Sequence, residues 1–538
     1  MATELPPLIQ ALLAAARQAQ AANAVLHETH GAWVLLAGTD AYKIKKPVKL
    51  PFMDFSTLAL RRAACLAELT VNRRFEQPPP QPPLYTEVLP IVGTPDAPRW
   101  GKPGQDDDVA IEYAVHMRRF DDALTLDHLC PPAHGHSSSP SHRTLDVTGP
   151  TLTAHHLTKF AADLARIQGQ AAVATPDMPF GHPANVLAQA QATVLALQPV
   201  GLPAPLQADL TWLADWMQQT HHRLAPLMAQ RLQNGQVREG HGDLHLGNLA
   251  LIDNRVQAFD AIEFNDQFRW IDVASDLAFT WMDLLHHRQP GLANVLLSAW
   301  LDATGDADAT DLLPFYAVYR AMVRAQVTGI RLAQLGAGPG SHAQQDATPT
   351  ACLTDLHRHI QLARQLAAPS RRALVITHGL SGSGKTWQSS RWLQADTTDR
   401  AIRLRSDIER QHANACHGQP GGAGPPDQYA PATRNAVYHH MAQRAAHLLQ
   451  AGWHVLVDAT FLHQAQRSAF AAVARQAGCP FHILACEAAP DTLRARIRQR
   501  QVAGNDASDA TLAVLEQQLQ TVEPLTATER TLQISLPA

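Results

Sequence analysis

The eight residues HGDLHLGN, from His241 to Asn248, combine two histidines, an aspartate and an asparagine. Phosphoryl transfer in kinase-like folds needs a carboxylate near the acceptor hydroxyl and, five residues later, an asparagine that holds Mg²⁺. Asp243 and Asn248 have this spacing, and Asp260 follows where a second metal-binding aspartate is expected. The pattern therefore predicts Asp243 as the catalytic base, Asn248 and Asp260 as Mg²⁺ ligands, and His241 as a structural residue.

Two other interpretations of this loop stay open at the level of sequence. A zinc site would use His241, Asp243 and His245, although alternate residues of one loop rarely supply three convergent ligands. A purely structural turn would account for Asp243 and Gly247. It would not account for the ordered set of lysine, glutamate, aspartate, asparagine and aspartate along the chain.

The lysine and the glutamate of this set precede the loop. Lys43 and Lys45 in AYKIKK alternate with apolar residues, which predicts that both lysines lie on one face of a strand. Either lysine could hold the phosphates of a nucleotide. Residues 55–74 have helical periodicity and carry Glu68, the expected acidic partner of the lysine.

A second and separate signature is GLSGSGKT, which matches the phosphate-binding P-loop. It follows the apolar strand 374–376 and opens a helical run, the context that the motif requires. Glycines let backbone N–H groups close around phosphates, the lysine reaches the β and γ oxygens, and the threonine ligates Mg²⁺. The predicted nucleotide-binding residues are Gly379, Gly382, Gly384, Lys385 and Thr386.

Three later features complete this second site. Asp458 ends the apolar strand HVLVDAT and is predicted to support the Mg²⁺ ion. Asp407 in RLRSDIER follows a strand, where it would serve as the base for an acceptor hydroxyl or as the N-cap of the next helix. Arg496 and Arg500 in TLRARIRQR share one helix face. They would clamp transferring phosphoryl charge, or they would form a solvated face.

The elements around these residues predict two domains. A strand-rich lobe over about 20–120 and a helical lobe over about 121–335 form the first domain, within 1–335. Residues 336–372 are predicted to be a linker with a connecting helix, and 373–538 an α/β domain with a parallel sheet. Asp253-Asn254 predicts a hairpin turn before Asp260. Asp272 or Asp276 could brace the HGDLHLGN loop from the next helix.

Composition narrows the class of protein. With 46% hydrophobic and 17% charged residues, the chain of 538 residues is expected to be globular and multidomain. The formal charge of −4 gives no case for general nucleic-acid binding. Six scattered cysteines without a C-x-x-C pair, no signal-peptide pattern and no long apolar run favour a cytoplasmic protein without a membrane span.

Residues 372–535 resemble the P-loop kinases that act on small-molecule or nucleic-acid hydroxyls, such as gluconate kinase, chloramphenicol phosphotransferase and the polynucleotide 5′-kinases. The likeness rests on GLSGSGKT, RSD, VLVDATF and the arginine helix. HGDLHLGN with FDAIEF is similar to the aminoglycoside phosphotransferase-like family, which includes choline- and fructosamine-type kinases. These two motifs occur together with ETHGAWVLLAGTDAYKIKKPV and the C-terminal P-loop. With this combination, the chain resembles the bacterial bifunctional aminoglycoside phosphotransferase/ATP-binding proteins.

These resemblances imply a bilobal protein-kinase-like fold of α+β class, followed by an α/β P-loop NTPase domain. They also imply that Lys43 is the first choice for the phosphate lysine and Lys45 the second. The expected activity is transfer of the γ-phosphoryl of ATP, with Mg²⁺, to the hydroxyl of a small molecule by the first domain. The second domain would phosphorylate a small molecule or a nucleic-acid 5′ end. The alternative is a P-loop ATPase switch controlled by a kinase-like ligand sensor that has no catalytic activity.

Overall fold

The computed structural model describes residues 5–19, 24–29, 31–50, 53–76, 82–130, 151–336, 348–396, 398, 400–416, 431–503 and 511–535. The chain divides into two compact units. The first comprises Met1–Arg288 and Leu312–Ala367, and the second comprises Gln289–Asp311 and Ala368–Ala538. The domain limits expected from the sequence differ from this division at residues 289–311, which group with the second unit. Most of the expected linker, 337–347, lies outside the described residues.

The first unit begins with a strand-rich lobe. Its elements are α1 (Pro7–Ala19), β1 (Val25–Glu28), β2 (Ala32–Ala37), β3 (Asp40–Lys45), β4 (Lys49–Leu50), β5 (Met53–Asp54), α2 (Leu58–Arg73), β6 (Tyr85–Thr94), β7 (Ala97–Trp100) and β8 (Ala110–Arg118). Six of the strands form one antiparallel sheet in the order β1-β2-β3-β8-β6-β7.

Helix α2 packs against β6 and β8 of this sheet. The Thr57 side chain accepts a hydrogen bond from the Leu60 N–H and so caps the start of the helix. Its buried Cys65 joins a core with Tyr85 and Val115, which anchors one face of α2 to the sheet. This packing brings Glu68 of the same helix opposite the lysines of β3.

The first unit continues as a mainly helical lobe. The next elements in chain order belong to this unit, except for α9 and the first turn of α10, which belong to the second unit. They are α3 (Leu126–Leu129), α4 (Ala154–Gln170), α5 (Pro183–Leu195), α6 (Ala204–Gln233), β9 (Val237–Glu239), β10 (Leu249–Ile252), β11 (Arg255–Ala258), α7 (Asp266–Arg269), β12 (Trp270–Asp272), α8 (Val273–His286), α9 (Pro290–Thr304), α10 (Ala309–Gly336) and α11 (Pro349–Ala367). None of the helices in the described ranges is both long and apolar enough to cross a membrane.

The hairpin predicted around Asp253 and Asn254 is confirmed. β10 and β11 pair antiparallel, and the two turn residues have φ values of 51° and 60°. Aspartate and asparagine tolerate this left-handed backbone better than most residues, which is why they favour two-residue hairpin turns. The hairpin brings the residue after β11 back beside the residue before β10: the Phe259 N–H donates to the carbonyl oxygen of Asn248 at 3.0 Å. Asn248 and Asp260 are thereby brought close together.

The second unit contains a parallel sheet of five strands in the order β14-β15-β13-β16-β17, as predicted for this part of the chain. Its elements after α11 are β13 (Leu374–His378), α12 (Lys385–Ala395), β14 (Ala401–Arg405), α13 (Ser406–Cys416), α14 (Pro431–Gln450), β15 (His454–Asp458), α15 (Gln464–Gln476), β16 (Phe481–Ala485), α16 (Pro490–Ala503), α17 (Leu512–Thr521), α18 (Ala527–Arg530) and β17 (Gln533–Ile534).

Helix α9 covers the β14 edge of this sheet. The Ala401 N–H donates to Oδ1 of Asn294, and the Arg403 N–H donates to Oγ of Ser298, both at 3.1 Å. These backbone groups belong to the outermost strand, where they would otherwise lack a partner in the sheet. A Cβ added to Gly291 would lie 2.0 Å from the carbonyl oxygen of Gln394, so glycine is required where α9 meets α12. The edge of the second unit is therefore closed by a helix that is distant in sequence.

Replacing Asn294 by alanine is expected to destabilise the second unit by about 2 kcal/mol, because the Ala401 N–H would stay buried without an acceptor. The Asn294 side chain is fully buried. The midpoint of urea unfolding, followed by a probe in the second unit such as Trp453 fluorescence, measures the effect. Asn185→Ala, at an exposed helical position, serves as the matched control. Equal midpoints for the two variants would contradict this role of α9.

Candidate active sites

Two aspartates of helix α8 accept hydrogen bonds from the backbone of the HGDLHLGN loop. Asp276 accepts hydrogen bonds from the backbone N–H groups of His241 at 2.7 Å and of Gly242 at 2.9 Å. Asp283, two turns further along α8, accepts one from the Leu246 N–H at 2.8 Å. Buried carboxylates that accept several backbone N–H groups fix the path of a loop. Of the two bracing residues predicted, the structure therefore selects Asp276.

His241 ties the loop to the segment that carries Asp260. Its Nε2 donates to the carbonyl oxygen of Phe259 at 2.9 Å, and its own carbonyl oxygen accepts from the Ile262 N–H at 3.0 Å. Asp260 lies between these contacts with a φ of 60°, and its N–H donates to the Tyr85 hydroxyl at 3.0 Å. A left-handed aspartate costs energy, and such residues concentrate at functional sites. His241 is accordingly committed to structure and does not face a metal.

Asp243 and Asn248 meet at the centre of the loop. The Asn248 Nδ2 donates to the carboxylate of Asp243 at 3.1 Å, and Nε2 of His245 lies 3.5 Å from the same oxygen. Burial alone would raise the pKa of Asp243, but the neighbouring His245 outweighs it and holds the pKa below its ordinary value. The carboxylate is therefore ionised at neutral pH and can accept a hydrogen bond from a hydroxyl.

The two strand lysines share one face of β3, as predicted, and both contact Glu68. Lys43 Nζ lies 2.8 Å from Glu68 and also pairs with Asp260. Lys45 pairs with Glu68 and with Glu263. The Lys45 side chain is 2% exposed and that of Lys43 is 14% exposed. Lys43 is thus the lysine beside Asp260, whereas Lys45 belongs to a buried ion-pair cluster.

Three residues of this site have roles in the structure that were not predicted from the sequence. His245 contacts Asp243, Glu263 pairs with Lys45, and Asp283 supports the loop from below. Glu263 could have been found from its place three residues after Asp260 in FDAIEF. The zinc interpretation fails because both ring nitrogens of His241 contact the backbone: Nε2 donates to the Phe259 carbonyl oxygen, and Nδ1 accepts from the Asp243 N–H.

The donor set of this site suits Mg²⁺, which prefers oxygen ligands. Asn248 uses its amide nitrogen on Asp243, so its amide oxygen is the group that remains for a cation. The Asp260 carboxylate is 45% exposed, much more than its lysine partner. An amide oxygen and a carboxylate on adjoining segments are the ligands expected for a nucleotide-bound Mg²⁺.

The second unit carries the P-loop between β13 and α12. Gly382 and Gly384 have φ values of 82° and 88°, which glycine adopts without strain. A Cβ added to Gly379 would lie 2.3 Å from the carbonyl oxygen of Cys486, so the loop can approach β16 only with glycine there. Lys385 and Thr386 begin α12, where the helix N-terminus favours an anion.

Two acidic residues predicted for this unit lie at the carboxyl ends of adjacent strands. Asp458 is buried at the end of β15 and accepts from the Ser389 hydroxyl at 2.7 Å. Asp407 lies in the first turn of α13, not at its N-cap, and pairs with Arg405 at 2.6 Å. Asp302 of α9 lies 4.0 Å from Arg405 and was not predicted. Burial raises the pKa of Asp302 to about 7.

The arginine helix α16 reaches the P-loop through one side chain. Arg496 Nη1 donates to the carbonyl oxygen of Gly382 at 3.1 Å. Arg494 instead pairs with Glu516 of α17 at 2.8 Å. The side chain of Arg500 lies outside the described residues. Arg496 is thus the arginine of this helix that the structure brings to the predicted nucleotide site.

Comparison with known protein families gives a match within the second unit. Residues 374–525 match the protein family described as AAA domain. The matched residues include the P-loop and the strand that ends at Asp458.

The similarity to curated proteins extends beyond residues 374–525. Uncharacterized protein Rv2004c of Mycobacterium tuberculosis (strain H37Rv) and Uncharacterized protein Mb2027c of Mycobacterium bovis are each 26% identical to this chain over 499 residues. Each match covers 91% of this chain and 89% of the relative, so it includes residues of both units.

Solved structures resemble each part separately. An APS kinase of Mycobacterium tuberculosis, in complex with AMPPNP and APS, is 24% identical and covers 27% of this chain and 78% of its own, with a TM-score of 0.21. A choline/ethanolamine kinase family protein from Mesorhizobium loti is 12% identical and covers 66% of this chain and 99% of its own, with a TM-score of 0.36.

The predicted fold classes are confirmed: a unit with an antiparallel sheet and a mainly helical lobe precedes an α/β unit with a parallel sheet.

Proposed function

We propose that this protein is an ATP-dependent phosphotransferase with two separate active sites, each transferring the γ-phosphoryl group of ATP to a hydroxyl. The observation that carries the proposal is the meeting of Lys43, Asp243, Asn248 and Asp260 in the first unit. These residues come from a strand, a loop and the segment after a hairpin, and they supply the charges that phosphoryl transfer requires. A structural turn has no need of such a set.

In the first unit, Asp243 would accept the proton of the acceptor hydroxyl. The hydroxyl oxygen then bonds to the γ-phosphorus, and the bond between that phosphorus and the bridging oxygen of ADP breaks. Asn248 and Asp260 would hold Mg²⁺, which neutralises phosphate charge when bound. Lys43 would move from Asp260 to the phosphates while it keeps Glu68 as its anchor.

In the second unit, Lys385 and Thr386 would contact the nucleotide phosphates and Mg²⁺, with Asp458 supporting the ion. Arg496 already contacts the P-loop and would place positive charge near the γ-phosphoryl group. Asp407 would accept the acceptor proton. Its partner Arg405 and the nearby Asp302 make this region charged, which suits a polar small molecule or a nucleic-acid 5′ end as acceptor.

An acceptor screen tests the proposal. ADP release is measured with sugars, amino alcohols, nucleosides and 5′-OH oligonucleotides, and phosphorylated products are identified by mass spectrometry. Acceptor-dependent ADP release with a matching product is expected for at least one class. ATP hydrolysis at the same rate with every acceptor, and without any phosphorylated product, would favour the ATPase switch with a kinase-like sensor.

The two lysines of β3 are expected to differ when each is replaced by methionine. Lys43→Met should lower turnover by the first unit about a hundredfold, because the positive charge proposed to contact the nucleotide phosphates is lost. Lys45→Met should instead lower the free energy of unfolding by about 3 kcal/mol, since Glu263 would remain buried without its partner. Acceptor turnover and thermal unfolding of both variants measure the two effects. A reversed result would assign the phosphates to Lys45.

The proposed site of action is the cytoplasm. The five described cysteines, Cys65, Cys130, Cys352, Cys479 and Cys486, are free thiols, which suits a reducing compartment.

A further inference from the structure

Three residues of the first unit form a second cluster of ligand-type side chains, the His–Asp–His cluster: His286, Asp355 and His359. One nitrogen of each histidine and one oxygen of the carboxylate lie within 4.8 Å of one another. His286 is the last residue of α8, and Asp355 and His359 are one turn apart on α11. The phosphotransferase mechanism uses none of them.

The carboxylate of Asp355 occupies the centre of this cluster. Its Oδ1 lies 3.1 Å from Nε2 of His286, and its Oδ2 lies 3.6 Å from Nδ1 of His359. The spacing of Asp355 and His286 is close to the roughly 3.3 Å expected between ligands at about 2.0 Å from a tetrahedral zinc ion. The imidazoles of His286 and His359 are stacked with their centroids 3.8 Å apart, so the His359 ring must turn to direct Nε2 at an ion. The Thr328 hydroxyl of α10 donates to Oδ2 at 3.1 Å and fixes the carboxylate. Hydrogen bonds of this kind orient metal ligands in proteins.

One ring nitrogen of the buried His359 makes no hydrogen bond within the described residues. The side chain is 2% exposed, and its Nε2 has no hydrogen-bond partner in the described part of the chain. Its Nδ1 lies 3.0 Å from the carbonyl oxygen of Asp355, a contact that assigns the hydrogen to Nδ1 and the lone pair to Nε2. The Nε2 lone pair is therefore the group with which this imidazole could bind a metal.

We propose that the His–Asp–His cluster binds a divalent transition metal, with zinc as the best match. Two imidazoles and one carboxylate favour zinc over Mg²⁺ or Ca²⁺, which prefer all-oxygen sites. The ion would link α11 to α8. Since α8 also carries Asp276 and Asp283, it would stabilise the helix that supports the HGDLHLGN loop. This proposal does not depend on the phosphotransferase proposal.

The test uses the full chain, freed of metal with a chelator and then titrated with ZnCl₂ against a chromophoric competitor. One tight equivalent is expected for the wild type. Asp355→Asn and His286→Gln should each weaken that equivalent by about a hundredfold or more. His357→Asn alters an exposed histidine of the same helix, so it should leave the tight equivalent intact. The chain has 28 histidines, and this control separates the site from weak binding at the others.

A measurement on the wild type keeps the proposal independent of how the variants fold. X-ray absorption of the one-equivalent zinc complex should show two imidazole nitrogens and a carboxylate oxygen at about 2.0–2.2 Å. Zinc should also raise the thermal unfolding midpoint of the wild type and not that of Asp355→Asn. Absence of a tight equivalent, its persistence in both cluster variants, or a ligand set without two imidazoles would overturn the proposal. The cluster would then be a hydrogen-bonded contact between helices.

Discussion

Replacing Asp243 by asparagine is expected to lower acceptor phosphorylation by the first unit about a thousandfold or more, with little change in the binding of ATP. Asparagine has the size of aspartate and could keep a contact with Asn248, but it cannot take up the proton of the acceptor hydroxyl. It also removes the negative charge that His245 stabilises. Because the loss lies in the chemical step, kcat should fall much more than the KM for either substrate rises.

Steady-state kinetics with an acceptor found in the screen measure this effect. Asp253→Asn is the matched control, since it makes the same chemical change at the tip of the β10–β11 hairpin. That variant is expected to stay within about twofold of the wild type, because asparagine tolerates the left-handed backbone of this turn as aspartate does. An Asp243→Asn protein that keeps a tenth of the wild-type kcat would show that Asp243 is not the base.

Replacing Lys385 by alanine is expected to lower ATP turnover by the second unit about a hundredfold or more. The Lys385 Nζ donates to the carbonyl oxygen of Leu380 at 2.8 Å, so the side chain lies over the P-loop. Residues 368–538 contain this one lysine, while their other long basic side chains are arginines. Another lysine of this unit therefore cannot take its place at the phosphates.

Nucleotide binding to the second unit should weaken together with turnover, because a P-loop lysine contacts the phosphates in both the ground state and the transition state. Binding of a fluorescent ATP analogue and acceptor-dependent turnover measure the two losses. Lys159→Ala, at an exposed position of α4, controls for the loss of a positive charge. Unchanged turnover of every acceptor in Lys385→Ala would mean that the P-loop takes no part in catalysis.

Comparing the two variants distinguishes two sites from one. If each unit has its own acceptor, Asp243→Asn removes one product and Lys385→Ala removes another, and their effects add. If the units serve a single reaction, each variant removes the same product. The alternative of an ATPase switch predicts that Asp243→Asn changes no ATP turnover in any assay.

Local features of the chain were predictable from the sequence because they depend on neighbouring residues. The P-loop with its strand and helix follows from one continuous stretch, 374–395, in which glycines, a lysine and a threonine have fixed positions. The hairpin at Asp253-Asn254 follows from the backbone preferences of two residues. Alternation along β3 was sufficient to place Lys43 and Lys45 on one face.

The tertiary structure decided the questions in which two chemically similar residues compete. Only packing shows that Asp276 supports the loop, whereas Asp272 pairs with Arg231 at 2.7 Å. Likewise, the alternation that puts both lysines on one face cannot tell which of them lies beside Asp260.

The sequence by itself determined the types of residue and the local elements that make two phosphoryl-transfer sites plausible. The tertiary structure alone determined that α9 closes the edge of the second unit and that Asp302 lies near Arg405. It also brought together His286 and His359, which are separated by more than seventy residues. Local backbone preferences act between neighbours along the chain, whereas these contacts depend on burial and hydrogen bonding between distant segments.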